Sequence, residues 1–358
     1  MKKLLYLLIL ISAFGCGDSE ESRTISEEQS TVILTNWADN FIIPAYEEYL
    51  AQLDKMEEAF EAFNSVRSVG NLETLRTRWI ETYTAWQKVE IFQIGKAESL
   101  NFQTYINLYP VDVEKIEASI KGEEYNLELP SRRNQQGLSA MDYLLNGLAD
   151  SDETIVAKYE AEEYRTYLSD VVSRIRNLSD QVANDWKGAY REEYITNTSS
   201  SSGGSLDKTT NDFIFHFEKM LRANKVSNAA GVFGSKDETS VEAFYKNDIS
   251  RMLYLVSLES SKNFFFGNSF NGDDQKESLR SLLIELDRSD LVDQIEKGYT
   301  ELNEKASMLS DSFSEQVLND NTKMLEVHDA SQTLVRYFKT DMLSALNIGI
   351  DYQDGDGD

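Results

Sequence analysis

Helical periodicity is the feature that most restricts this chain. Ala45, Tyr49, Leu53, Met56, Phe60 and Phe63 recur at spacings of three and four, which places them on one face of a helix. Leu168, Val171, Ile175, Leu178 and Val182 do the same, and a longer stripe runs through Leu291, Ile295, Leu302, Ala306, Leu309, Phe313 and Val317. Each face needs burial against other helices, because the period-two alternation that marks a strand is missing. The expected fold class is therefore all-α. The three prolines are Pro44, Pro110 and Pro130, so the sequence after residue 130 is free of this helix breaker. A Ser- and Gly-rich linker at 198–206 divides the chain. The spacing predicts two helical-bundle halves, 31–197 and 207–358, packed through a shared interface.

Composition narrows the chemistry. The 358 residues carry 62 acidic and 35 basic side chains, a formal charge of −27. Such a charge repels phosphate backbones, so nucleic acid is not an expected partner. Cys16 is the single cysteine, which excludes an intrachain disulfide and a thiolate zinc cluster. Only His216 and His328 offer imidazole. Both sit on apolar stripes, and each is expected as a core histidine satisfied by a neighbour. Neither an HExxH zinc helix nor a GxSxG nucleophile elbow is present.

The amino terminus has the form of an export signal. Lys2 and Lys3 precede an apolar run, Leu4 to Phe14, and a small residue, Gly15, stands before Cys16. Residues 1–15 are expected to be a lipoprotein signal peptide, and 16–30 an acidic tether whose acylated Cys16 anchors the chain in a membrane. Asp18-Ser19-Glu20-Glu21 resembles acidic surface-export signals, which sets the expected location at the cell envelope, on the outer membrane and exposed at the surface. At the other end, an EF-hand loop would need a bidentate glutamate at its twelfth position and a following helix. Asp354, Asp356 and Asp358 are therefore expected in a solvated acidic tail, with Asp354 and Asp356 as weak divalent contacts.

Several ordered blocks carry a family likeness. Trp86, Phe92 and Gly95 are followed by Ile106-Asn107-Leu108-Tyr109-Pro110-Val111-Asp112. Arg133 then precedes Gly137-Leu138-Ser139-Ala140-Met141-Asp142-Tyr143-Leu144-Leu145. Gly203-Gly204-Ser205, Asn211, Tyr245, Ser250, Gly267 and the segment Leu346 to Ile350 complete the series. In this order the blocks resemble the imelysin-like proteins, and Gly137 to Asp142 resembles that family's GxHxxE motif. The resemblance implies a two-domain helical fold with a functional site near the domain interface. It also implies either an insulin-cleaving metallopeptidase or an envelope lipoprotein of bacterial iron uptake.

The chain departs from the motif where it matters for chemistry. Ser139 stands at the histidine position and Asp142 at the glutamate position. A hydroxyl is a poor ligand for zinc or iron, and imidazole is what gives such a pair its affinity. Hydrogen bonding at a helix start or across the interface is therefore expected of Ser139 and Asp142, and any divalent metal or iron would be held weakly. Arg132 and Arg133, just ahead of Gly137, are candidates to orient an anion through forked donors. The aromatic residues Trp86, Tyr105, Tyr109 and Tyr143 are expected to pack this region. The reading that follows is a non-catalytic envelope lipoprotein that binds a ligand or an iron- or haem-uptake partner. A divergent metallopeptidase and a surface structural or adhesion module are the alternatives.

Overall fold

The computed structural model describes residues 25–270 and 275–352; Cys16, Asp354, Asp356 and Asp358 lie outside the described residues. Helix follows helix throughout, and among the described residues the one β pairing is a single bridge between Asn268 and Gln275. No helix among the described residues is long and apolar enough to cross a membrane.

The first helix, α1 (Glu27–Trp37), opens on a reciprocal cap. The Ser26 hydroxyl accepts the Gln29 N–H, and the Gln29 side chain accepts the Ser26 N–H. Helix α2 (Ile43–Ser65) carries Pro44 directly after the π-type turn Ala38–Ile42, and the Asn40 carbonyl that Pro44 cannot bond accepts the Phe270 N–H at 3.0 Å instead. It buries Tyr49, Leu53, Met56, Phe60 and Phe63 and packs along α3 (Val69–Val89), whose start is capped by Ser68. Shorter helices follow, among them α4 (Gly137–Asp142), and the long α5 (Glu162–Lys187) packs against them. The Leu168 to Val182 stripe of α5 is buried, and the helix packs on both α2 and α4.

The second half is built on α6 (Ser205–Phe215), α7 (Ser250–Phe266), α8 (Ser289–Ser307) and α9 (Thr322–Arg336). Helix α8 packs on α7 and α9, while α7 also lies across α3 of the first half. One buried apolar cluster runs through both halves.

Two local features differ from simple periodicity. The stripe from Leu291 to Val317 is not one helix. Helix α8 ends at Ser307, Met308 is exposed, and the Ser312 hydroxyl caps a new helix at Phe313–Asn319. Serine capping thus interrupts the helix where no proline does. The segment around 198–206 folds back on itself. Asn197 donates to the Gly203 carbonyl at 2.8 Å, and a Cβ on Gly204 would meet the Ser199 carbonyl oxygen at 1.8 Å.

The helices are also widened locally. Ala38–Ile42, Tyr143–Gly147, His216–Ser227 and Tyr337–Met342 adopt π-type turns. The third is twelve residues long and continues directly from α6. Such turns concentrate at functional sites, and this one supplies two of the side chains described next, His216 and Lys225.

Candidate functional site

Gly137 sets the geometry of the motif. Its φ is +81°, and a Cβ there would lie 2.3 Å from the Ile106 carbonyl oxygen. Only glycine lets the start of α4 press on the 105–106 backbone this closely. The close approach brings Ser139 and Asp142, three residues apart on one helix face, to the seam between the halves.

Both side chains are buried there. The Ser139 hydroxyl donates to Asn107 Oδ1 at 2.8 Å. The Asp142 carboxylate accepts the backbone N–H of Tyr245 at 2.8 Å, that of Lys246 at 2.9 Å, and the Asn146 amide at 3.2 Å. Asp142 therefore clamps a loop of the second half onto the first. Burial pushes its pKa up to about 7, and the three donors offset only part of that rise. Ser139 and Asp142, with Tyr109, Pro110, Phe244 and Tyr245, line a pocket of about 240 Å³.

Behind this pocket lies a cluster of buried charge. Lys225 Nζ is 2.8 Å from Glu242 Oε2, 2.7 Å from Gln87 Oε1 and 3.4 Å from Glu90 Oε2. Glu242 Oε1 accepts from Asn107 Nδ2 at 2.7 Å and from Gln87 Nε2 at 3.0 Å. His216 Nε2 lies 3.4 Å from Glu90 Oε2 and 3.3 Å from the Ser257 hydroxyl. The Tyr83 hydroxyl donates to Asn107 Oδ1 at 2.5 Å, sharing that acceptor with Ser139. One amide thus joins the motif to the charges.

The electrostatics follow from this packing. Burial alone would raise Glu90, but the Lys225 cation and His216 overcome it and hold its pKa down at about 2. Burial likewise works against the Lys225 ammonium, yet Glu242 and Glu90 keep its pKa above the ordinary lysine value. The Tyr109 hydroxyl is pushed well up by burial, with Glu242 and Glu90 adding to the shift.

The π-type stretch explains how His216 and Lys225 meet. They are nine positions apart, two and a half turns of a 3.6-residue helix, which would put them on opposite faces. Turns closed by i→i+5 bonds take more residues per revolution, so nine residues come back to about two turns. Both side chains then face Glu90.

The residues singled out from sequence separate into groups. Ser139, Asp142 and Tyr109 come together at the pocket, while Gly137 lies against the 105–106 backbone. Tyr143 stands beside the pocket, with its hydroxyl on Glu117 at 2.8 Å and its ring edge-to-face with Tyr245, the ring centroids 5.1 Å apart. Trp86 is fully buried between the rings of Tyr49 and Phe102. Arg133 is not brought to the pocket: its guanidinium lies over the Tyr105 ring at 5.1 Å, while Arg132 donates to Gln135 at 2.8 Å. The paired guanidiniums expected to clamp an anion at Gly137 are thus turned to other partners. His216 is buried as expected, but in the charge cluster and not in an apolar core. His328 is only half-buried, with Nδ1 2.8 Å from the Ser227 hydroxyl.

Gln87, Glu90, Lys225 and Glu242 escaped the sequence reading. For the two carboxylates a signal was present: Glu90 is set between buried Val89 and Ile91, and Glu242 between Val241 and Ala243. A buried charge has to be paired, so such positions mark partners to be sought.

A larger cavity, about 570 Å³, opens between α2, α3 and α7. Phe41, Phe92, Phe264, Phe270 and Leu255 give it an apolar wall, and Lys88 sits at its edge, 4.8 Å from the Phe270 ring centroid. Its volume falls in the range of small-molecule sites.

Known proteins share this architecture. A crystal structure from Parabacteroides distasonis, described as a candidate iron-regulated protein A precursor, superposes with a TM-score of 0.73 at 18% identity, covering 91% of this chain and 97% of that one. An imelysin-like protein from Psychrobacter arcticum superposes with a TM-score of 0.62 at 16% identity, over 92% and 98% of the two chains. At these identities the likeness is one of fold. Iron-regulated protein A of Synechococcus elongatus is 22% identical over 165 residues, 43% of this chain. The match spans only 44% of that relative's length. The imelysin family pattern, by contrast, matches residues 42–339, from the start of α2 to beyond α9. With that match over most of its length, and with Gly137 to Asp142 folded at the seam between two helical halves, the chain belongs to the imelysin family.

Proposed function

We propose that this chain is a non-catalytic binding protein of the cell envelope, lipid-anchored through Cys16 and serving iron or haem acquisition. The observation that carries the non-catalytic reading is the fate of the motif side chains. A zinc peptidase needs imidazole, thiolate or carboxylate ligands with free lone pairs, and an open coordination position. Ser139 supplies a hydroxyl already donated to Asn107, and both oxygens of Asp142 accept backbone N–H groups. Among the described residues, no group of three or more His, Cys, Asp or Glu side chains is placed to hold an ion. The residues at the motif therefore do not fit a peptidase metal.

The binding reading draws on the cavities and on the names of the relatives. The 240 Å³ pocket is walled by both halves, and the 570 Å³ cavity has the apolar lining and volume of an organic-ligand site. Two of the similar proteins carry the name iron-regulated protein A. The envelope assignment rests on the signal-like amino terminus and Cys16.

Purified mature protein tests this. Metal analysis, insulin-chain digestion and calorimetric titration with iron and with haem are expected to give little bound zinc, no cleavage and saturable ligand binding. Stoichiometric zinc together with cleavage, both lost in Asp142→Ala, would establish the divergent metallopeptidase instead. Unimpaired growth of a deletion strain on limiting iron or haem, with lost surface attachment, would favour the adhesion module.

A further inference from the structure

The buried cluster has the form of a cation seat. Glu90, at the end of α3, belongs to the first half and Glu242 to the loop before α7. Two carboxylates brought together out of water repel each other strongly unless a cation stands between them. Here the cation is Lys225 Nζ, which meets one oxygen each of Glu242, Gln87 and Glu90. An ammonium has three N–H donors, and three side-chain oxygens surround it. His216 Nε2 lies 3.4 Å from the same Glu90 oxygen, and Glu90 Oε2 has only these longer 3.4 Å contacts. Two carboxylates and an amide oxygen are the oxygen donors that a divalent ion such as manganese takes. The distances of 2.7 to 3.4 Å suit an ammonium, since metal–oxygen bonds are about 2.0–2.6 Å.

We propose that Lys225 is a resident cation in a two-carboxylate seat, tethered where a divalent metal would otherwise be needed to join the halves of the molecule. A covalently attached charge cannot dissociate or be stripped by a chelator, so the seam between the halves is held without any metal. The π-type stretch is what delivers it, because regular α-helical turns from His216 would aim Lys225 to the opposite side. The same stretch supplies His216, so one segment provides both groups facing Glu90. The inference concerns this seat alone and stands apart from the binding role assigned to the cavities. Absence of iron or haem binding would defeat that role and leave this inference untouched.

Removing the tethered charge tests it. Lys225→Ser leaves the two carboxylates and the Gln87 oxygen around a vacated space. This full-length variant is expected to bind one equivalent of Mn2+ by calorimetry and to gain several degrees in Tm with saturating Mn2+. The wild-type protein is expected to bind none at this position and to keep its Tm in EDTA. The double variant Lys225→Ser/Glu242→Gln is expected to lose at least tenfold in Mn2+ affinity relative to Lys225→Ser. If Lys225→Ser does not fold alone, refolding it from denaturant with and without Mn2+ supplies the readout. Recovery only with the ion supports the seat, and equal recovery or equal failure in the two conditions overturns it. One equivalent of Mn2+ on the wild-type protein, abolished by Glu242→Gln, also overturns it.

Discussion

Ser139 donates its hydroxyl proton to Asn107 Oδ1 at 2.8 Å, so the residue at the motif's histidine position is tied to the buried charges through a single amide. Tyr83 donates to the same oxygen. Removing one donor leaves the acceptor satisfied by the other; removing both leaves a buried carbonyl without either partner. Ser139→Ala and Tyr83→Phe are each expected to lower stability by about 1 kcal/mol, and the double variant by about 1 kcal/mol more than their sum. Urea unfolding of the four proteins measures this, and strict additivity would show that the acceptor is not shared.

Asp142 gives the stability a pH dependence of definite sign. Burial raises its pKa in the folded state from 3.8 to about 7. The folded protein therefore binds the proton more tightly than the unfolded chain. The resulting stabilisation is complete below about pH 4 and is lost as pH rises through 7, an effect of up to about 4 kcal/mol for one fully buried group. The difference in unfolding free energy between wild type and Asp142→Asn should shift across this window. A constant difference from pH 4 to 7.5 would refute the assignment.

Glu90 acts in the opposite sense and in a lower window. Its folded-state pKa lies below the ordinary value of 4.5, at about 2, because the Lys225 cation and His216 outweigh burial. Its contribution is present above pH 4.5 and is lost as pH falls toward 2. Glu90→Ala is expected to cost about 3–5 kcal/mol at neutral pH, since it leaves the Lys225 charge short of a partner, and the penalty should shrink toward pH 2. Chemical denaturation at pH 7 and pH 2.5 compares the two, and a penalty independent of pH would count against the ion cluster.

Gly137→Ala is expected to cost more than about 2 kcal/mol, because the new Cβ meets backbone oxygen at 2.3 Å with φ at +81°. Gly70→Ala, in the first turn of α3 with nothing within 4 Å of the new atom, should be neutral or slightly stabilising. Thermal melts of the pair test whether the motif glycine serves backbone contact. Equal Tm values for the two variants would reject that role.

Much of the fold was legible before any coordinates. The stripes from Ala45 to Phe63 and from Leu168 to Val182 lie buried on α2 and α5, because a 3.6-residue period with one apolar face has few other ways to escape water. The break after Ser307 was not legible, since a serine that caps a helix and a serine within one look alike until the local backbone is known. The imelysin motif could be read from Gly137, Ser139 and Asp142, but the loop clamped by Asp142 could not. Its partners are backbone N–H groups more than a hundred positions away, and backbone donors carry no residue identity.

The order of residues alone determined that the chain is helical, that it is acidic, and that the stretch resembling the family motif carries Ser139 and Asp142. Tertiary packing alone decided that Glu90 and Glu242 meet, that Lys225 stands between them, and that a widened helix turns His216 and Lys225 the same way. The reason is physical: a local pattern records which face of a helix avoids water, while the pairing of buried charges depends on distances between segments that the pattern does not encode.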